Sequence, residues 1–186
     1  MKRLIPVVIS AWAAAAAWAA PGFAGCDWGS SPAHVREVYG DPAEVKEVNG
    51  TTRWGYDASF LGVPASYFFY FTRDGRLAKG GVTPHATDDL APFLVWEESF
   101  RKELGPPQKL DRVYAPEDVG ARARYAGDEA AREAGIRAGE FELCDHWEME
   151  GTACFLTAVN GGGVVVVGMV SESATLGPQY DAEAGK

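Results

Sequence analysis

The residues best suited to chemistry gather late in the chain: Cys144, Asp145, His146 and Cys154. Thiolate, carboxylate and imidazole are zinc ligands, and a thiol beside an imidazole is a nucleophile with its base. The spacing argues against both. Neighbouring residues of a strand point to opposite faces, so Asp145 cannot join Cys144 and His146, and no C-x-x-C or H-E-x-x-H pattern completes a ligand set. His34, in the first turn of an expected helix, and His85, in a loop with Asp88 and Asp89, stand alone and read as surface residues. No metal, no cofactor and no catalytic set is expected.

The compartment is set by the first residues. Lys2 and Arg3 make a basic start, Leu4 to Ala20 is an apolar, Ala-rich run, and Pro21 to Gly25 is a small-residue exit. This is the pattern of a secretory signal peptide, and no basic stop-transfer cluster follows it. Gly22-Phe23-Ala24 satisfies the small-x-small rule and predicts a leader of residues 1–24. Phe23-Ala24-Gly25-Cys26 also resembles a bacterial lipobox, which makes Cys26 a candidate for lipidation. Both readings stay open, and both predict an exported protein, periplasmic or anchored in the envelope. In an oxidising compartment Cys144 and Cys154, flanking an expected hairpin turn at Glu150-Gly151, are predicted to form a disulfide.

Charge narrows the partners. The formal net charge is −9, from 17 basic and 26 acidic residues. A nucleic-acid surface needs clustered cations to release counterions, and none is present. Docking on anionic lipid is disfavoured for the same reason, which leaves a lipid anchor as the only expected link to a membrane. Basic proteins and neutral ligands fit better.

The elements that position these residues follow from capping and periodicity. Ser31 and Pro32 open a helix whose Val35, Val38 and Tyr39 form one apolar stripe, and Gly40 and Pro42 end it. The period then changes to two. Trp54 and Tyr56 alternate with Arg53 and Gly55, Tyr67, Phe69 and Phe71 alternate with Ser66, Phe68 and Tyr70, and Asp74-Gly75 turns into a third strand from Arg76 to Val82. A second copy of this plan is expected downstream. Asp89 caps a helix carrying Leu90, Phe93, Phe100 and Leu104 and ending at Gly105-Pro106-Pro107; Trp147 echoes Trp54, and Asn160-Gly161 echoes Asp74-Gly75 before Val164 to Val167. The expected fold is α+β, two helix-plus-antiparallel-meander units with helices on one face of the sheet. The units are residues 25–86 and 87–175, the second with a polar insertion at 111–139 that reads as a solvated, frayed helix, and residues 176–186 are an expected disordered tail.

The order G-S-S-x3-V-x3-Y-G-x-P, followed by Trp54, Tyr56, Tyr70-Phe71 and Asp74-Gly75-x-Leu77, resembles the SmpA/OmlA family of small envelope lipoproteins. That resemblance implies helices packed on a three-stranded antiparallel sheet and a role in outer-membrane β-barrel assembly. A tandem pair of such units resembles the architecture of the β-lactamase inhibitor protein, in which a sheet grips a partner. The strand Tyr67 to Phe71 is aromatic on both faces. One reading buries both faces, by helices on one and by the other repeat on the other. The second puts Phe69 and Phe71 in the core and Phe68 and Tyr70 on an open sheet face, extended by Trp54 or Trp147, and such aromatics mark contact surfaces. The expected function is a non-enzymatic binding or assembly module that contacts an envelope protein. The alternatives are a small-ligand or glycan binder using the same aromatics, and a hydrolase using Cys154 or His146.

Overall fold

The computed structural model describes residues 21–86, 88–108 and 127–185. The leader through Ala20 and the start of the polar insertion, residues 111–126, lie outside the described residues. The chain divides into two compact units. One gathers the described parts of Met1–Val82, Met149–Ala153 and Val170–Lys186; the other gathers those of Thr83–Glu148 and Cys154–Met169.

The first unit opens with a small hairpin, β1 (Gly22–Phe23) and β2 (Cys26–Asp27), turned by Ala24 and Gly25. Helix α1 (Pro32–Tyr39) begins as its residues dictate, with the Ser31 hydroxyl accepting from the His34 N–H and Pro at the first turn. Its stripe is narrower than the spacing suggests: Val35 is fully buried, but Val38 faces solvent. Strands β3 (Glu44–Val48), β4 (Thr51–Phe60), β5 (Val63–Phe71) and β6 (Leu77–Pro84) follow. The meander therefore has a strand more than the sequence reading gave it. Asn49 and Gly50, both at positive φ, turn β3 into β4 and add that strand at the sheet's margin.

The second unit holds helix α2 (Ala91–Leu104), helix α3 (Glu129–Ala138), strand β7 (Leu143–Met149) and most of strands β8 (Thr152–Asn160) and β9 (Val165–Ser173). Phe93, Trp96 and Phe100 bury one side of α2, and Phe100 meets Trp147 edge-on at 5.3 Å. The Trp147 indole N–H donates to the Gly105 carbonyl at the end of α2, at 3.0 Å. Asp89 acts at the start of α2, its carboxylate accepting from the Ala91 N–H. Helix α3 occupies the end of the predicted insertion and is not a solvated arm, since Ile136 is fully buried and Gly135 is small because Phe141 lies against it. The expected Glu133–Arg137 pair forms at 3.1 Å, and Glu133 also accepts from the Leu90 N–H.

The chain ends in helix α4 (Leu176–Ala184), where a disordered tail was expected. Charged partners on the first unit order it, and the local sequence carries no such information. The class is α+β: a seven-stranded antiparallel sheet in the order β3-β4-β5-β6-β9-β8-β7, the two-stranded hairpin, and helices packed beside them. No described helix is long and apolar enough to cross a membrane.

Cys144 and Cys154 are not joined, contrary to the predicted disulfide. The His146 ring stacks on Phe155 with centroids 4.6 Å apart, so these two residues share a face. Cys144, two residues before His146, shares that face, whereas Cys154, next to Phe155, points to the other. Bridging them would need side chains that converge, and these diverge. Alkylation of the unfolded protein without reductant is expected to label both thiols, and a mass showing them protected until reduction would contradict this arrangement.

Candidate functional site

The register of β4 on β5 sorts the aromatic residues. Thr52 stands opposite Phe71, Trp54 opposite Phe69, and Phe60 opposite Val63. Opposed residues share a face and consecutive ones alternate. Trp54, Tyr56, Tyr67, Phe69 and Phe71 consequently form one buried layer beneath α1, with the Tyr39 ring 5.1 Å from Phe69 and 5.4 Å from Tyr56. Phe68, opposite Gly55, and Tyr70, opposite Arg53, occupy the other face, and both are half-buried.

That outer face is built from side chains that brace one another. Gly55 leaves room for the Phe68 ring: a Cβ there would stand 3.3 Å from both Phe68 and Glu44. The Arg53 guanidinium lies 4.7 Å over the Phe68 ring and donates to Glu44 at 2.6 Å, so a cation is held on the aromatic face by a carboxylate. Lys46 adds a second cation at 2.9 Å from Glu44, and its hydrogen bond, with Arg53, holds the Glu44 carboxyl below the usual range.

Tyr70 has a different neighbour. It meets Tyr180 of α4 edge to face at 5.6 Å, and burial raises its hydroxyl pKa. Helix α4 is fixed over this part of the face by cations from the β5–β6 turn and β6. The Arg73 N–H donates to the Glu183 carboxylate at 2.7 Å, the Arg73 guanidinium to the Glu183 carbonyl at 2.9 Å, and Arg76 to Gln179 at 2.9 Å. Lys79, little exposed, lies 2.6 Å from Glu172 and 2.7 Å from Asp181.

The remaining aromatic candidates are elsewhere. Trp54 belongs to the buried layer because it opposes Phe69, and the Arg36 guanidinium closes over its ring at 5.1 Å. Trp147 is in the core of the second unit, against α2. Neither extends the outer face. The residues that the sequence reading missed are Arg53 and Glu44, whose signal was available: Arg53 alternates with Trp54 and so must share the face that Trp54 leaves.

The chemistry-bearing residues of the second unit do not converge. Cys154 is buried and points away from the face that carries His146, so thiol and imidazole do not form a nucleophile pair. Asp145 is fully buried, 3.8 Å from the Arg101 guanidinium, which itself bonds Glu97 on the preceding turn of α2. Among the described residues no three His, Cys, Asp or Glu side chains are placed to hold a metal ion.

No family model matches the chain, and no curated protein matches it in sequence. A comparison of structures pairs it with the crystal structure of a DUF4309 family protein, YjgB, from Bacillus subtilis. The TM-score is 0.42 and the identity 12%, over 77% of this chain and 78% of that one, too distant to assign a family.

The ion pairs under α4 set its response to charge. Burial pulls the Lys79 pKa down, but the bonds to Asp181 and Glu172 outweigh it and hold the ammonium above its ordinary value. Its contribution is therefore present up to the ordinary lysine pKa and is lost as pH rises through the higher folded value. The Glu183 carboxyl is held below its ordinary value, first by the Gln179 hydrogen bond and then by the Arg73 N–H, so its contribution is present at neutral pH and lost on acidification. Tyr70 and Tyr180 ring signals in NMR are expected to lose their mutual shift only on acidification below the ordinary glutamate range. Lys79→Ala leaves two carboxylates facing each other and is expected to cost about 2 kcal/mol in denaturant unfolding.

Proposed function

We propose that this protein is an exported, non-enzymatic binding module of a bacterial cell envelope, which contacts a protein partner through the outer face of the first unit's sheet. The observation that carries the proposal is the pairing of Phe68 with Arg53 on the face opposite the core. An aromatic ring and a guanidinium, both pre-positioned by neighbours, lose little rotamer entropy on contact, and they are the residue types that concentrate binding energy at interfaces. Glu44 supplies an acceptor beside them, and the acidic net charge favours a partner with basic groups at the rim of the contact.

The contact centres on Phe68 and Arg53, next to the margin strand β3. Tyr70 sits under α4 and supports the face from one side. Export rests on the basic start, apolar run and small-residue exit of the first residues. The resemblance of the first unit to the envelope-assembly lipoproteins agrees with a role in holding or assembling other envelope proteins.

In-envelope crosslinking followed by pull-down, comparing the wild type with Phe68→Ala, Tyr70→Ala, tests the proposal. A dominant partner captured by the wild type is expected to fall at least ~10-fold in the variant, the loss that a truncated anchor residue brings. Thermal unfolding of the variant verifies that it folds. A partner retained by a folded variant would place the contact on another surface. Absence of any partner from both would favour a small ligand or glycan on the same aromatic residues.

A further inference from the structure

The hairpin β1–β2 lies in the stretch where the leader was expected to end, yet it is part of the first unit's core. Phe23 is 1% exposed, and its ring meets Phe69 at 5.2 Å and Tyr67 at 5.9 Å, the same layer that α1 covers. The sheet is shaped to receive it. Gly80 of β6 lies directly beneath the ring, where any Cβ would fall inside it, so the phenyl group fills space that only a glycine leaves. Polar contacts fix the same turn: the Tyr39 hydroxyl donates to the Ala24 carbonyl at 2.6 Å, and the Trp28 N–H to the Pro21 carbonyl at 3.1 Å. Gly22 is itself required, since a Cβ there would collide with the Cys26 carbonyl opposite.

Neither sequence-based processing site is compatible with these contacts. A cut before Gly25 removes Phe23 and leaves Gly80 facing a hole in the aromatic layer. A cut before Cys26 does the same, and it also requires the Cys26 sulfur to carry a lipid, although this residue is 1% exposed within the hairpin. Burial, with Asp27 adjacent, raises that thiol's pKa to about 11, so it is a poor nucleophile where it stands.

We propose that the export leader is removed upstream of Pro21, at Ala17-Trp18-Ala19, so that the mature chain begins at Ala20 and keeps Phe23 as a structural plug, with Cys26 an unlipidated core residue. This rests on the export reading. The step is hydrolysis of the Ala19–Ala20 amide: water supplies hydroxyl to the Ala19 carbonyl and a proton to the departing Ala20 nitrogen. Ala17-Trp18-Ala19 presents small residues at the −3 and −1 positions, whereas a cut one residue later puts Trp18 at −3 and Pro21 immediately after the bond. The apolar run that remains ahead of it is of signal-peptide length.

The test is expression of the full chain in a bacterium, fractionation, and intact-mass and N-terminal analysis of the processed protein. A chain beginning at Ala20 without lipid mass is expected. A chain beginning at Gly25, or at a lipid-bearing Cys26, overturns the proposal. Recovery of the chain only with Met1 intact in the cytoplasm overturns the export reading, and the processing step with it. An independent measurement separates the two. Leaderless chains that begin at Ala20 and at Gly25 are compared by thermal unfolding, and the shorter is expected to melt roughly 10 °C lower through loss of a buried Phe. Equal melting temperatures would remove the structural ground for keeping the hairpin.

Discussion

Everything in the first unit depends on the register of β4 against β5. With Trp54 opposite Phe69, six aromatic residues of β4 and β5 lie on the core face and two on the other. A slip of one residue would exchange the two sets, burying Arg53 and exposing Trp54, and so the register is held by the same burial that it creates. Gly55 and Gly80 matter at this level. Each is a missing side chain that admits a ring, Phe68 on one face and Phe23 on the other. The candidate contact surface and the core are thus two sides of one pairing decision.

Much of this was legible in the residues. The alternation from Tyr67 to Phe71 separates Phe69 and Phe71 from Phe68 and Tyr70, and the structure keeps them apart. Ser31-Pro32 and Gly40 bound α1 as capping chemistry requires. Strand β3 was also legible, since Asn49-Gly50 is a hairpin signal as clear as Asp74-Gly75, but Glu44 to Val48 lacks the apolar alternation that attracts attention. Being at the margin of the sheet, it has little to bury.

The features that could not be read locally are those fixed by distant partners. Helix α4 has weak amphipathic character and is ordered by Arg73, Arg76 and Lys79, roughly a hundred residues away in sequence. Trp54 and Trp147 looked like surface anchors because tryptophan is common at interfaces, yet strand parity commits the first to the core and the α2 contact commits the second. The cysteines failed for a related reason. A hairpin brings its strands side by side, but only parity decides whether two thiols meet, and Cys144 and Cys154 differ in parity.

The first unit is assembled from three separated stretches, and this sets the order of its folding. The Trp28 indole N–H donates to Thr152 at 2.7 Å, and Lys79 binds Asp181 near the end of the chain. During synthesis the N-terminal hairpin, α1 and the first strands emerge long before these partners exist. The unit that starts first therefore finishes last, its contacts closing loops of more than a hundred residues, the kind of non-local closure that slows folding. Until α4 has formed, Tyr70, Lys79 and the cations of the β5–β6 turn stay uncovered, available to chaperones and to one another.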